Sequence, residues 1–165
     1  MKKIFALLVL VYCCQSVVQA QDSKQDKKDA KTAAIRNIVD SQNYVFKAQS
    51  AMPLSGPVRQ LSSEYDCKVT KATITCYLPY FGRAYSAPIG STQGGIQFTS
   101  KDFEYKATAR KKGGWDIRIK PKDYRDVQQI YINISENGYG TLQVTSTNRQ
   151  SISFNGYIAP VKAPK

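Results

Sequence analysis

Between residues 44 and 160, apolar and polar positions alternate in short runs separated by glycine, proline, asparagine and lysine. Successive side chains of a strand point to opposite faces, so this alternation predicts half-buried β-strands. The clearest run is YDCKVTKATITCYLPYFGRAY, Tyr65 to Tyr85. With Lys71-Ala72 as a two-residue loop, Thr70 faces Thr73, Val69 faces Ile74, Cys67 faces Cys76 and Tyr65 faces Leu78. Tyr65, Cys67, Val69, Ile74, Cys76 and Leu78 then share an apolar face, while Asp66, Lys68, Thr70, Thr73, Thr75 and Tyr77 form a polar one. Pair type alternates away from the loop, which puts Cys67 and Cys76 at a non-hydrogen-bonded pair, where side chains come closest. The two thiols form either a structural disulfide or a pair of reduced core cysteines. The turn is the weak point, because Lys-Ala is neither the Asn-Gly nor the Asp-Gly that a type I′ turn favours.

The same parity rule orders the rest of the body. Tyr44, Phe46 and Ala48 share one face of a strand, and residues 52–57 read as a loop. Residues 79–88 form a bent, extended segment kinked at Gly82, followed by a glycine-rich loop over 89–95 and a strand over 96–100. Its Gly94-Gly95 is no phosphate loop, since no Gly-Lys-Ser/Thr follows. A three-residue loop at Lys111-Lys112-Gly113 pairs Ala109 with Trp115, Ala107 with Ile117 and Tyr105 with Ile119, with Gly113 in the left-handed position. A loop at Glu136-Asn137-Gly138 pairs Ile132 with Leu142 and Ile130 with Val144. One at Thr147-Asn148-Arg149 pairs Val144 with Ile152 and Leu142 with Phe154. Repeated hairpins of this kind predict an all-β fold, an antiparallel meander of about nine strands closed as a barrel or folded as a sandwich. No period repeats in the sequence, which argues against a propeller or solenoid.

Ahead of the strands, Ala33, Ala34, Ile35, Ile38 and Val39 recur at helical spacing. They predict one helix over 26–40, capped by Ser23 or Asp26 and ended by Ser41-Gln42-Asn43. Earlier still, Lys2-Lys3, an apolar run from Ile4 to Tyr12 and Val18-Gln19-Ala20 make a secretory signal peptide, too short to be a membrane span. The rival is a lipoprotein signal ending at Cys13, in which Tyr12 stands where a small residue is wanted. The chain divides into a signal at 1–20, a polar tether at 21–26, a single β-domain with its helix at 27–160 and a tail at 161–165. No transmembrane span is expected in the mature chain, and the expected location is periplasmic or secreted. That compartment is oxidising, which favours the Cys67–Cys76 disulfide.

Composition narrows the chemistry. The chain has 165 residues, 4 cysteines and no histidine. Lack of histidine removes the Ser-His-Asp and Cys-His hydrolases and His-ligated zinc. No metal site or cofactor is expected, and the protein reads as a non-enzyme. The remaining enzymatic alternative is a hydrolase with two carboxylates converging in one cleft. The net charge is +12, and cleavage after Ala20 lowers it by the two lysines of the leader. Lys106, Arg110, Lys111, Lys112, Arg118 and Lys120 cluster on one hairpin, a candidate patch for polyanions such as lipopolysaccharide phosphate or acidic glycan. A solvated outer face that keeps an exported protein soluble is the plainer account, and nucleic acid is an unexpected partner for an exported chain. Eleven tyrosines supply apolar area with a polar tip, suited to sugars or amphipathic ligands or serving as strand-forming residues.

Three segments carry a family likeness: YVFKAQSAMP at 44–53, LPYFGRAY at 78–85 and GIQFTS at 95–100. Through them the chain, over residues 27–160, resembles the exported Bacteroidota-type proteins that share domain of unknown function 4251. Members often carry Gly-Asp where this chain has Lys71-Ala72, which supports a two-residue loop there. The resemblance implies export and no established activity, and it does not carry the cysteine pair. Function must therefore come from the residues. The first candidate site is the LPYFGRAY corner, with Tyr80, Phe81, Arg83 and Tyr85 binding a small amphipathic or glycan-like ligand or an envelope component. There Arg83 is either a pocket residue or a cation packed on Tyr80 or Tyr85. The second is the basic hairpin.

Overall fold

The structure, a computed structural model, describes residues 26–85 and 94–161. The signal peptide, Cys13 and Cys14, most of the polar tether, the greater part of the glycine-rich loop and residues 162–165 of the tail lie outside the described residues.

A helix, α1, spans residues 26–41. Nine strands follow: β1 Tyr44–Pro53, β2 Arg59–Val69, β3 Ile74–Leu78, β4 Ile96–Ser100, β5 Phe103–Ala109, β6 Trp115–Pro121, β7 Val127–Ile134, β8 Tyr139–Ser146 and β9 Ile152–Pro160. They form one antiparallel sheet in the order β4-β3-β2-β1-β9-β8-β7-β6-β5. The two edge strands are consecutive in the chain, so the sheet curls into a nearly closed barrel. Of the two architectures open to the sequence, this is the barrel.

Alternation fills its interior. Phe46, Cys67, Ile74, Ile117, Ile119, Ile130, Ile132, Leu142, Val144 and Phe154 are buried, all from inward positions. Each side chain of this size contributes roughly 1.5–3 kcal/mol when fully buried. The pairings derived from turn parity are present: Cys67 opposite Cys76, Ala109 opposite Trp115, Ile132 opposite Leu142 and Leu142 opposite Phe154. Cys67 and Cys76 are joined as a disulfide, with Cα atoms 4.1 Å apart.

The β2–β3 turn reaches its register without type I′ geometry. Neither Lys71 nor Ala72 has positive φ. Instead Thr70 and Thr73 brace each other. The Thr70 hydroxyl accepts from Thr73 N at 2.9 Å and lies 3.0 Å from the Thr73 hydroxyl, while Thr70 N donates to Thr73 O at 2.9 Å. The β5–β6 turn follows expectation, with Gly113 at φ 86° and Arg110 N donating to Gly114 O at 2.9 Å. A side chain at Gly113 would also collide with the Glu136 carboxylate. The β8–β9 loop keeps the expected register but is wider than Thr147-Asn148-Arg149, because Arg149 pairs across to Ala84.

The seam between β4 and β5 is closed by side chains. Phe98 stacks on Tyr124 with centroids 4.6 Å apart. Asp123 Oδ2 accepts from Lys101 N at 2.8 Å and Asp102 N at 3.2 Å. At the other end α1 covers the barrel. Ile35 and Val39 are buried and Ile38 is partly so, whereas Ala33 and Ala34 are exposed, so the docked face is narrower than the apolar stripe predicted. Gln42, at φ 51°, ends the helix and donates from its N to Val39 O at 3.1 Å. The Tyr44 and Tyr105 hydroxyls lie 3.4 Å apart beneath that end. Burial pushes the pKa of both up.

Candidate functional site

The LPYFGRAY corner is held as a structural bracket. Its chain crosses to the β8–β9 loop, where Tyr85 N donates to Asn148 O at 2.8 Å and Gln150 N donates to Arg83 O at 3.1 Å. The Tyr80 hydroxyl points at two carbonyls, Arg83 O at 2.8 Å and Gln150 O at 3.1 Å. A Cβ at Gly82 would meet that hydroxyl, so the kink needs glycine. The cation on Tyr80 is Arg149, 5.3 Å from the ring centroid, and Arg59 lies 4.9 Å from the Phe81 ring. Arg83 and Tyr85 are exposed.

The basic hairpin is divided by the fold. Lys106 and Arg118 oppose each other on the outer face, as the register requires, and with Thr108 and Asp116 line a cleft of about 270 Å³. Arg118 lies 5.9 Å from the Tyr131 ring. Lys120 is opposite Glu104, but the Glu104 carboxylate pairs with Lys122 at 3.2 Å. Lys111 is exposed at the loop tip.

Arg110 and Lys112 turn the other way, toward α1. They meet Lys28, Lys31 and Thr32 of the helix and Ser135, Glu136 and Asn137 of the β7–β8 turn around a cleft of about 270 Å³. Positions 28, 31 and 32 fall on one helical face, which is why one turn of α1 presents them together. Arg110 is fixed at the back of the cleft. Its Nη2 donates to Ile134 O at 3.2 Å, and its Nε is buried, makes no hydrogen bond and lies 3.9 Å from Asp116 Oδ1. Asp116 also accepts from Asn133 Nδ2 at 2.8 Å. Lys31 lies 5.9 Å from the Tyr139 ring. Arg110 is paired with Asp116 behind the cleft, and Lys28, Lys31 and Lys112 against the single lining carboxylate of Glu136 leave the cleft electropositive, while Thr32, Ser135 and Asn137 add neutral polar groups. An anionic group with several oxygens is the chemistry it can satisfy.

The sequence separated Lys28 and Lys31 from Arg110 and Lys112. Helical spacing places the first pair on one face, but which part of the barrel that face covers is decided by the docking of Ile35 against Gly138.

Two carboxylates line the same clefts. Glu64 and Asp66 both line two adjoining clefts on the outer face of β1, β2 and β9, of about 180 Å³ and about 360 Å³. Lys47 stands between them, its Nζ 3.7 Å from Glu64 Oε1. Burial pushes the Asp66 carboxyl up, opposed by Lys47 and reinforced by Glu64. Among the described residues there is no cluster of three or more His, Cys, Asp or Glu side chains suited to a metal, and no helix long and apolar enough to cross a membrane.

Comparison with known proteins agrees with this architecture. A family model described as domain of unknown function (DUF4251) matches residues 26–158. No curated protein matches the chain. The crystal structure of a DUF4251 family protein from Bacteroides eggerthii DSM 20697 superposes with a TM-score of 0.58 at 14% identity, covering 79% of this chain and 88% of that one. At that identity the likeness speaks for the fold.

Proposed function

The chain belongs to the DUF4251 family, and from that premise, which names no activity, we propose that it is an exported, non-enzymatic binding module for an anionic envelope component. The observation that carries this reading is the convergence of Lys28, Lys31, Arg110 and Lys112 on one cleft from two separate parts of the chain. A solvated outer face does not need a cleft, nor an arginine anchored behind it. Phosphate or carboxylate borne by a lipid or glycan fits the donor set, and the outer Lys106–Arg118 pair extends the same field along β5 and β6. The Tyr80–Tyr85 corner supports a ligand site less well, because the Tyr80 hydroxyl and ring are already engaged by the chain itself.

Carboxylate chemistry is also the weaker reading. The Glu64 side chain is 91% exposed and ion-paired to Lys47, an arrangement that favours a solvated acid over a catalytic one.

The test is binding to lipopolysaccharide and to the same material after enzymatic dephosphorylation, at low and high salt. The reading predicts binding that weakens with salt and with loss of phosphate, and that falls about tenfold or more when Lys31 and Lys112 are both replaced by alanine. Binding indifferent to all three changes would overturn it.

A further inference from the structure

We infer that the ligand of the basic cleft is a phosphorylated sugar, its phosphate held by Lys31 and Lys112 and its ring packed on Tyr139; this rests on the anionic reading above and narrows it to one ligand class. Lys31 joins the two halves. It lines the cleft, and its Nζ lies 5.9 Å from the centroid of the Tyr139 ring. A phosphate oxygen accepting from that ammonium therefore lies within about 9 Å of the ring centre. One hexose carrying its own phosphate spans that reach, whereas inorganic phosphate does not.

The β7–β8 turn sets the ring in place. Ser135 N donates to Tyr139 O at 2.8 Å, Gly138 N to Ser135 O at 2.9 Å and Ile158 N to Gly138 O at 2.9 Å. Gly138, at φ 84°, lies against Ile35 of α1, so helix and turn are held together. Asn137 lines the cleft two residues before the ring. Its Oδ1 accepts from Tyr139 N at 3.2 Å and from the Ser135 hydroxyl. The first of these bonds requires an oxygen at that position, which leaves Nδ2 to donate to a ligand.

The surroundings suit a sugar better than an acyl chain. Tyr139 is 52% exposed, and Tyr157 buttresses it with centroids 6.0 Å apart and a tilt of 57°. An aromatic ring offers apolar area to the C–H groups of a sugar, while Asn137 and Thr32 offer hydrogen bonds to its hydroxyls. The other exposed large apolar side chains among the described residues are Leu54, Val58, Tyr77, Phe81 and Tyr85, and none of them lines the cleft. An acyl chain would therefore find no apolar groove beside the phosphate.

The test is titration of the full chain, followed by NMR, with the 1-phosphates of glucose, galactose and mannose, with glycerol 3-phosphate and with inorganic pyrophosphate. At about pH 8 and one salt concentration the four monoesters are all dianions, so a difference among them reports the sugar ring. At least one hexose phosphate should bind about fivefold more tightly than glycerol 3-phosphate and shift the Tyr139 ring signals. Tyr139→Ala should erase that advantage and leave pyrophosphate binding unchanged, while Tyr139→Phe, which keeps the ring, should retain it. Pyrophosphate bound at the cleft with no hexose phosphate ahead of glycerol 3-phosphate, or an advantage that survives Tyr139→Ala, would overturn the sugar assignment and leave the anionic reading standing. Failure of every phosphate to bind would overturn both.

Discussion

Arg149 lies over the ring of Tyr80, its guanidinium carbon 5.3 Å from the ring centroid, while its Nη1 donates to Gly95 O at 2.9 Å. One side chain thus ties the start of the corner after β3 to the chain entering β4, from a loop more than fifty residues away. Arg149→Ala removes a cation–π contact and a charge-assisted hydrogen bond, and should destabilise the fold by about 1–3 kcal/mol. Tyr80→Phe should cost about 1 kcal/mol, because the hydroxyl serves backbone carbonyls. Urea unfolding of the three proteins measures both.

The disulfide should act on stability. Cys67 and Cys76 close a short loop, so their bridge restricts the unfolded chain only modestly. Replacing both with alanine, or reducing them, should lower stability by about 2–3 kcal/mol on the chain-entropy account. Anion binding at the far cleft should stay unchanged, which isothermal titration of the reduced protein checks.

Asp123 gives the seam an acid limit. Hydrogen bonds from Ser100 and from the backbone at Lys101 hold its carboxyl below the usual range. A depressed folded-state pKa contributes stability above the unfolded value of 3.8 and loses it as pH falls through the folded value. Asp123→Asn should therefore flatten the stability profile below about pH 4. Thermal unfolding between pH 2 and 7, in both proteins, shows the difference.

Asp66 works in the opposite sense. Burial raises its pKa, so folding favours its protonated form and ionisation opposes folding. Stability from this group falls as pH rises from 3.8 through the raised folded value. Asp66→Asn should remove that decline, visible as a rise in melting temperature at neutral pH relative to the parent.

Glu136 is the one acid lining the basic cleft, and it sits against the Gly113 turn. Glu136→Gln removes a like charge from the path of an anion and should tighten anion binding severalfold at low salt, with the gain shrinking as salt rises. Gly113→Ala should instead destabilise the hairpin by more than about 1 kcal/mol, since φ of 86° is strained for any side chain.

Much of this fold is legible in the residue pattern, because parity across a turn fixes which face every later side chain takes. Ile117, Ile132, Leu142 and Phe154 fall inside on that rule alone. The rule is silent where the backbone is held by side chains. Lys71-Ala72 lacks the residues of its turn, and the Thr70–Thr73 pair supplies the geometry instead. Arg83 stands inside the corner motif and draws attention there, yet the cation on Tyr80 comes from Arg149, brought in by a loop contact that no local spacing encodes. The basic cleft is hidden for the same reason. Two of its lysines belong to a helix whose placement on the barrel depends on long-range packing, so the sequence identifies the hairpin cations and leaves their partners apart.

The central claim is that an anionic group is held between α1 and the β5–β6 and β7–β8 turns. Titration of the isotope-labelled protein with inorganic pyrophosphate at low salt, followed by amide NMR shifts, measures it most directly. The account predicts shifts concentrated at Lys31, Thr32, Gly113, Ser135 and Asn137, lost when Lys31 and Lys112 are replaced by alanine. Shifts centred on Tyr80–Tyr85 or on Lys106 and Arg118, or no shifts at all, would contradict it.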